Sequence, residues 1–451
     1  MSTRNIQTSG CGVAASDLRQ PHGHYDEQGS VAPQARVEAA LRSFVMDVGA
    51  VTALRLESCV HCGMCAEACP FYLNTGDPRF TPIHKVEPLK QTYKREAGPF
   101  APFFKLLGLK RKVTIEELRE WEELLFDSCT LCGRCSLICP MGIDITSLIQ
   151  EARHGMAEAG LVPRGIHEKA KQENQTGSVL GLDEPELNSR LQKLAEAHQV
   201  DIPIDRTGAE IMVCTTSEEL DAYPETILAT VKIMESLGAD YTFCSKALDA
   251  SNYAYMEGSV AWEAERVVDI ADTARTCGVK TLVMPEDAFA YVALRWEGER
   301  LYEEALPFEV KHITEFLAEE LKGGRLKLDK AKSDGRPVVF HESCQLARRG
   351  GIVGAPLELL AAMGVEFKRT ADHGAFTTCC GGGGGAIDNE RARPLRYRVF
   401  EARMREIEQT GAEDIVTCCS VCRRTFDEGV KEFDWNKRVK GLTEMVAERL
   451  A

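Results

Sequence analysis

Two stretches of this chain share one cysteine spacing: Cys59-x2-Cys62-x2-Cys65-x3-Cys69-Pro70 and Cys129-x2-Cys132-x2-Cys135-x3-Cys139-Pro140. Three thiolates two residues apart coil round one face of an iron–sulfur cubane, and a fourth, leading into a helix after Pro, closes the other cluster. On that rule one [4Fe–4S] cluster takes Cys59, Cys62, Cys65 and Cys139, and the other takes Cys129, Cys132, Cys135 and Cys69. Paired Cys-x2-Cys also suits tetrahedral zinc, but zinc leaves the evenly spaced triplets and both Cys-Pro ends unexplained. His61, inside the first run, reads as a residue that tunes potential rather than as a ligand.

The remaining composition agrees with metal rather than with disulfides. The chain has 451 residues and 18 Cys, and Met1 to Gln20 is polar, without the apolar stretch of a secretory signal. A net charge of −15 argues against a nucleic-acid partner, which needs a basic surface. No apolar run approaches the roughly 18–20 residues that span a bilayer. The expectation is a cytoplasmic protein, held peripherally at the cytoplasmic face of a membrane through a partner subunit.

The organisation changes along the chain. Residues 1–35, with Gly, Ser, Gln and Pro and no apolar period, read as a flexible tail carrying Cys11. Residues 36–162 read as helical, with Cys runs at the helix junctions. Val37, Ala40, Leu41 and Phe44 share one helix face, Thr114 and Glu117 stand at capping-box spacing, and a third helix covers about 145–160. Residues 163–205 are polar and irregular and read as a linker. Beyond it strands and helices alternate, first over 206–325 and again over 326–451, ending in a last strand at 414–417. Laying Gly278–Met284 over Gly411–Thr417 superposes the two halves, and Cys214–Met284 spans 70 residues against 73 for Cys344–Thr417. Two diverged copies of one α/β unit are expected.

The second copy carries the remaining chemistry. Cys344 follows a strand in His341-Glu-Ser-Cys, Cys379-Cys380 opens a run of five Gly, and Cys418-Cys419-x2-Cys422 follows the last strand. Strand ends of an open α/β sheet converge on one crevice, so these sulfurs can meet. The glycines let backbone pass close to a bulky cluster. No Gly-Lys-Ser/Thr follows them, which argues against a nucleotide cradle. A zinc site of Cys344, Cys380, Cys419 and Cys422 is the alternative.

Cys344, Cys379-Cys380-Gly381 and Cys419-x2-Cys422 resemble the Cys-Cys-Gly domain of heterodisulfide reductase catalytic subunits. Behind a two-cubane ferredoxin domain, they are similar to the D subunit of that family, and closer to the K subunit associated with sulfite reductase and to hydrogenase-associated iron–sulfur subunits. The resemblance runs from about Arg36 to the C-terminus and includes Gly76-Asp-Pro-Arg, Gly323-Gly-Arg-Leu-Lys-Leu-Asp and His341-Glu-Ser-Cys. It implies an α+β chain: an all-α helical ferredoxin domain, then a duplicated Rossmann-like Cys-Cys-Gly domain. It implies that Cys344, Cys379, Cys380, Cys419 and Cys422 hold a non-cubane [4Fe–4S] cluster acting on disulfides, with Cys418 structural. A quinone-reactive membrane cytochrome b is the implied partner, with hydrogenase subunits or a small thiol carrier as further candidates.

Against the parent pattern, Glu286 and Phe289 stand where Cys419 and Cys422 would, and Ser251-Asn252 lacks paired Cys, so one non-cubane site is expected. Two functions stay open: a disulfide/thiol oxidoreductase, and a pure electron conduit between a hydrogenase or other dehydrogenase and the quinone pool. The iron–sulfur subunit of a glycolate, lactate or glycerol-3-phosphate oxidase is a third reading, disfavoured by the block after Cys69. His341 is the candidate catalytic residue, a proton donor as a thiolate leaves. Arg348 reads either as an anion grip or as a surface residue, and His373 is ambiguous. Phe100, Phe103, Phe104, Leu106 and Leu107 with Lys110, Arg111 and Lys112 read as core packing or as a membrane-partner edge.

Overall fold

The computed structural model describes residues 24–25, 32–46, 49–96, 103, 106–107, 113–333 and 335–451. Cys11 and most of the expected tail lie outside them, as do Phe100, Phe104, Lys110, Arg111 and Lys112. Phe103, Leu106 and Leu107 are exposed rather than packed in a core. His24–Tyr25 (β1) pair antiparallel with Val162–Pro163 (β2).

The N-terminal third is helical. Pro33–Met46 packs against Ile145–Glu158, with Pro82–Glu96 and Ile115–Phe126 completing the group. The apolar stripe of Ile145–Glu158 buries Leu148, Ile149, Ala152 and Met156. A Cβ at Gly155 would stand 2.2 Å from the Phe44 ring, so glycine sets how closely the first and last of these helices approach. The expected capping box forms: the Thr114 hydroxyl accepts from the Glu117 amide, and the Glu117 carboxylate from the Thr114 amide.

The stretch expected to be an irregular linker instead holds two helices, Arg164–Thr176 and Glu184–His198. The second is started by an Asp183–Glu186 capping box and docked by buried Leu187 and Leu191, so a sparse apolar stripe with a good cap suffices.

Two four-stranded parallel sheets follow. The first comprises Ile211–Val213 (β3), Tyr241–Phe243 (β4), Thr281–Met284 (β5) and Glu309–His312 (β6), in the order β4-β3-β5-β6. The second comprises Val338–His341 (β7), Phe367–Lys368 (β8), Asp414–Thr417 (β9) and Arg438–Gly441 (β10), in the order β10-β9-β7-β8. Taken from the appropriate edge, both sheets run second, first, third, fourth. β10 corrects the expectation that 414–417 is the last strand: an edge strand reading Arg-Val-Lys-Gly has no alternation to reveal it and forms by pairing with β9.

Register also bears on the superposition of the halves. Val213 pairs with Val283, and Phe340 with Val416. If Thr281 is set on Asp414, Val213 falls on Phe340, Cys214 on His341, and Ser217 on Cys344. Cys214 is therefore not the counterpart of Cys344.

Candidate iron–sulfur centres

In each ferredoxin-type loop the residue before the second Cys lies in the left-handed region, His61 and Leu131 both at φ 55°. The glycine after that Cys follows suit, at φ 81° for Gly63 and 75° for Gly133. The two loops thus turn alike, and each Cys-Pro step leads away from its own loop. One cavity is lined by Cys59, Cys62, Cys65 and Cys139, with Leu56, Ile83, Val86 and Ile143 among its apolar walls. A second is lined by Cys129, Cys132, Cys135 and Cys69, with Phe71, Leu131 and Ile149. The structure therefore brings together the two reciprocal sets of four.

The donor chemistry fits metal clusters. Desolvation raises the thiol pKa of Cys65 and Cys129, and that of Cys135 well above its ordinary value. Buried thiols that resist ionisation become thiolates when a cation compensates the charge. A protein cation already stands at the second set: Lys85, 2% exposed, donates to Cys69 Sγ at 3.7 Å and to the Ser128 carbonyl. His61 Nε2 lies 2.8 Å from Lys90 Nζ, so its imidazole meets an ammonium beside the first set.

The C-terminal sulfurs form a third nest. Cys344, Cys379, Cys380, Cys419 and Cys422 are each 5% exposed or less. Cys380 Sγ lies 3.5 Å from Cys422 Sγ, Cys344 shares a hydrogen bond with Cys379, and Cys422 shares one with Cys419. Hydrogen bonds from Cys132 and Cys344 lower the Cys379 pKa, and bonds from Cys379 and Cys422 bring Cys380 well below its ordinary value. Cys418 is buried, its thiol pushed up first by desolvation and then by the Glu286 charge.

His341, at the end of β7, is fully buried. Arg403 Nη2 donates to its Nδ1 at 3.0 Å. Arg has no lone pair to offer, so Nδ1 must be the acceptor and the neutral ring carries its proton on Nε2. Desolvation, then the Arg403 charge, hold imidazolium formation well below the usual range. One ring nitrogen lies within 4.8 Å of the Cys380 and Cys422 sulfurs. Nδ1 is occupied by Arg403, and Nε2 has no hydrogen-bond partner among the described residues. This arrangement suits a fixed hydrogen-bond donor better than a proton shuttle or a metal ligand.

The second and third nests touch. Thr130 Oγ1 lies 3.2 Å from Cys379 Sγ, and Cys132 hydrogen-bonds Cys379. Gln345 donates to the Leu131 carbonyl at 2.7 Å. Arg348 matches neither expected reading: its N–H groups go to the carbonyls of Ala375, Cys132 and Thr377, which tie the two loops together. His373 bonds locally, its Nδ1 3.0 Å from the Thr370 and Ala371 carbonyls, to which it donates. The glycine run is crowded by protein: a Cβ at Gly382 would meet Thr425 at 1.9 Å, and one at Gly384 would meet the Thr130 backbone at 2.9 Å.

Sequence reasoning passed over Lys85, Thr130, Gln345, Arg403 and Arg153. Arg153 had a usable signal, an arginine inside the apolar stripe of Ile145–Glu158. It is completely buried and donates to the carbonyls of Leu125, Cys129, Met256 and Gly384.

Residues 55–143 match the 4Fe-4S dicluster domain family, and residues 338–427 the Cysteine-rich domain family. The D subunit of the dihydromethanophenazine:CoB–CoM heterodisulfide reductase of Methanosarcina mazei is 27% identical over 89% of this chain and 95% of its own. An Hdr-like menaquinol oxidoreductase iron-sulfur subunit 2 of Archaeoglobus fulgidus is 25% identical over 88% of this chain and 80% of its own. An EtfAB:quinone oxidoreductase of Syntrophomonas wolfei is 25% identical over 88% of this chain and 58% of its own. Over most of its length the chain is thus similar to the heterodisulfide reductase D subunits, with a 4Fe-4S dicluster region and a Cysteine-rich region in the same order as the sequence motifs.

Proposed function

We propose that this oxidoreductase serves as the electron-transfer subunit of a membrane-associated redox complex, with a cubane cluster in each four-thiol nest and a non-cubane cluster in the five-thiol nest. When bound, such clusters supply one-electron redox states at the two cubane sites and a place for disulfide/thiol chemistry at the third. On this reading Cys59, Cys62, Cys65 and Cys139 hold the outer cubane, Cys129, Cys132, Cys135 and Cys69 the inner one, and Cys344, Cys379, Cys380, Cys419 and Cys422 the non-cubane group. The observation that carries it is the contact of Cys132 with Cys379, since it joins a ligand of one nest directly to a ligand of the next.

The chain's residues provide the surroundings such a relay needs. Thr130, Gln345 and Arg348 fix the junction, Lys85 places a positive charge at Cys69, and His341 offers an N–H to the third nest. At the opposite end Cys62 is exposed, and Val60 and Met141, which line the same cavity, are 63% and 50% exposed. That apolar rim suits a redox partner, which we take to be a membrane protein exchanging with quinone; two relatives are named as a menaquinol and a quinone oxidoreductase. Among the described residues no helix is long and apolar enough to cross a membrane, so the membrane contact on this reading is made through that partner. The two α/β units are read as diverged Rossmann-like copies, a reading supported by their common strand order.

One observation favours the conduit reading: all five sulfurs of the third nest are at most 5% exposed, which leaves a substrate sulfur little approach. Anaerobically prepared protein, oxidised in the presence of candidate thiols, separates the two. A new paramagnetic signal broadened by isotopically labelled sulfur supports disulfide/thiol chemistry, and its absence across the thiols tested supports the conduit. Stoichiometric zinc without acid-labile sulfide overturns both.

A further inference from the structure

Three sulfurs in the first α/β unit, Cys214, Cys244 and Cys277, belong to none of the three nests. Two of them are paired: Cys244 Sγ lies 3.3 Å from Cys277 Sγ. Cys244 directly follows β4 and is 1% exposed, whereas Cys277 ends the Val260–Cys277 helix and is partly exposed. A single strap runs over both. Phe243 donates to the Pro203 carbonyl at 2.8 Å, Asp205 to the Phe243 carbonyl at 2.8 Å, and Gly208 to the Cys277 carbonyl at 3.0 Å. Strand end, helix end and strap are thus joined at the point where the sulfurs meet. A disulfide has its sulfurs about 2.05 Å apart, so closure asks each to move by about 0.6 Å.

We infer that Cys244 and Cys277 form a redox-active dithiol that takes oxidising equivalents from low-molecular-weight disulfides by thiol–disulfide exchange. Cys277, the accessible member, attacks a disulfide R–S–S–R, forming a mixed disulfide and releasing one R–SH. Cys244 then attacks the Cys277 sulfur, forms the internal disulfide and releases the second R–SH. Two electrons pass from the protein dithiol to the small disulfide, and the two thiol protons leave on the two R–SH molecules. The internal bond ties the Val260–Cys277 helix to β4. That helix also carries, in its first turn, Glu263, in the wall of a cavity of about 480 Å³ shared with Arg55, His154 and Arg349.

The test uses the cluster-loaded full chain, kept anaerobic and incubated with oxidised glutathione. Free thiols are then alkylated and the peptides weighed. The expected result is a joined pair of peptides carrying Cys244 and Cys277, lighter by two hydrogens than the separate peptides, with at least a tenfold fall in alkylation at both positions. Cys244→Ser retains glutathione on Cys277 as a stable mixed disulfide, and Cys277→Ser leaves Cys244 alkylated as in the untreated protein. Oxidation raises the melting temperature of the unsubstituted protein by a few degrees, reversibly, and leaves that of Cys277→Ser unchanged. Full alkylation of both cysteines after excess oxidised glutathione, or glutathione held on Cys277 with Cys244 still free in the unsubstituted protein, overturns the proposal.

Discussion

Arg153→Met removes a side chain that reaches the helical group, the Cys129 loop and both α/β units. The guanidinium donates to Met256 at 2.6 Å, to Gly384 and Cys129 at 2.8 Å, and to Leu125 at 2.9 Å, and lies 4.4 Å from the centre of the Phe126 ring. Each such charge-assisted bond contributes about 1.5–3 kcal/mol, so four carbonyls represent on the order of 6–12 kcal/mol. Against this, burial lowers the Arg153 pKa from 12.5 to about 10. At about 1.4 kcal/mol per pKa unit, the opposing cost is about 3 kcal/mol. Methionine keeps the stem but orphans the carbonyls, and the net loss expected is about 3 kcal/mol or more. For a chain of 451 residues unfolding as a unit, that is a fall in melting temperature of about 3 °C. The loss is local to the contacts, so amide exchange should accelerate first at residues 129–135 and 382–385. Arg153→Lys fails similarly, because one ammonium cannot span four carbonyls. A melting temperature within about 1 °C of the parent, with unchanged exchange in both loops, would refute the reasoning, because the bonds would then contribute no more than the buried charge costs.

His341→Leu removes the one N–H that the neutral ring can turn to the nearby Cys380 and Cys422 sulfurs. A redox titration followed by paramagnetic resonance should show the potential of that centre falling by on the order of 50 mV, and an unmoved potential counts against a donor role. Burial, then the Asp249 charge, push the Glu173 carboxyl up to about 8. A raised carboxylate keeps its stabilising contribution in full below the ordinary value of 4.5 and loses it as pH rises toward about 8. Stability should thus fall by about 2 kcal/mol from about pH 6 to about pH 8, a slope absent in Glu173→Gln, and parallel denaturation midpoints for the two proteins would show the carboxyl already ionised. Chelation of iron should strip amide protection from residues 55–143, while β7 and β9, paired by backbone bonds, keep theirs, and equal protection with and without iron would mean that the helices hold the sulfurs unaided.

Much of the candidate site was legible because the expected ligand sets are written in short-range spacing. The reciprocal sets follow from the Cys-Pro ends alone, and cavities lined by those two sets appear in the structure. What stayed hidden depends on contacts distant in sequence. Arg348 is separated by 216 residues from the Cys132 carbonyl it holds, and no local pattern announces that pairing. The same applies to β6 and β10, charged edge strands whose identity comes from a neighbour rather than from alternation. The helices within 163–205 were obscured by stripes of only a few buried apolar side chains on otherwise polar surfaces.

On the reading that the five-thiol site lies in the second α/β unit alone, register gives the first unit a role of its own. If the two units are superposed by register, Ser217 falls on Cys344, and its hydroxyl lies 2.9 Å from that of Ser251, much as Cys344 bonds Cys379 in the other unit. Glu286 and Phe289 stand where Cys419 and Cys422 do, yet both are turned to the neighbouring unit. The Glu286 carboxylate accepts from the Thr443 amide and hydroxyl at 2.6 and 2.8 Å, and its carbonyl accepts from the Ser420 amide at 2.5 Å. Asp287 accepts from the Ser420 hydroxyl at 3.0 Å, and a Cβ on Gly383 would stand 3.3 Å from the Phe289 ring. These contacts land beside Cys419 and on the glycine run after Cys380, the two segments that must hold still if five sulfurs are to keep one geometry. On the reading of diverged copies, exchanging sulfur for carboxylate and phenyl turned a second metal site into a brace for the first. A brace fixes position through packing and hydrogen bonds rather than charge, so Phe289→Ala should loosen the glycine run while leaving both four-thiol nests intact.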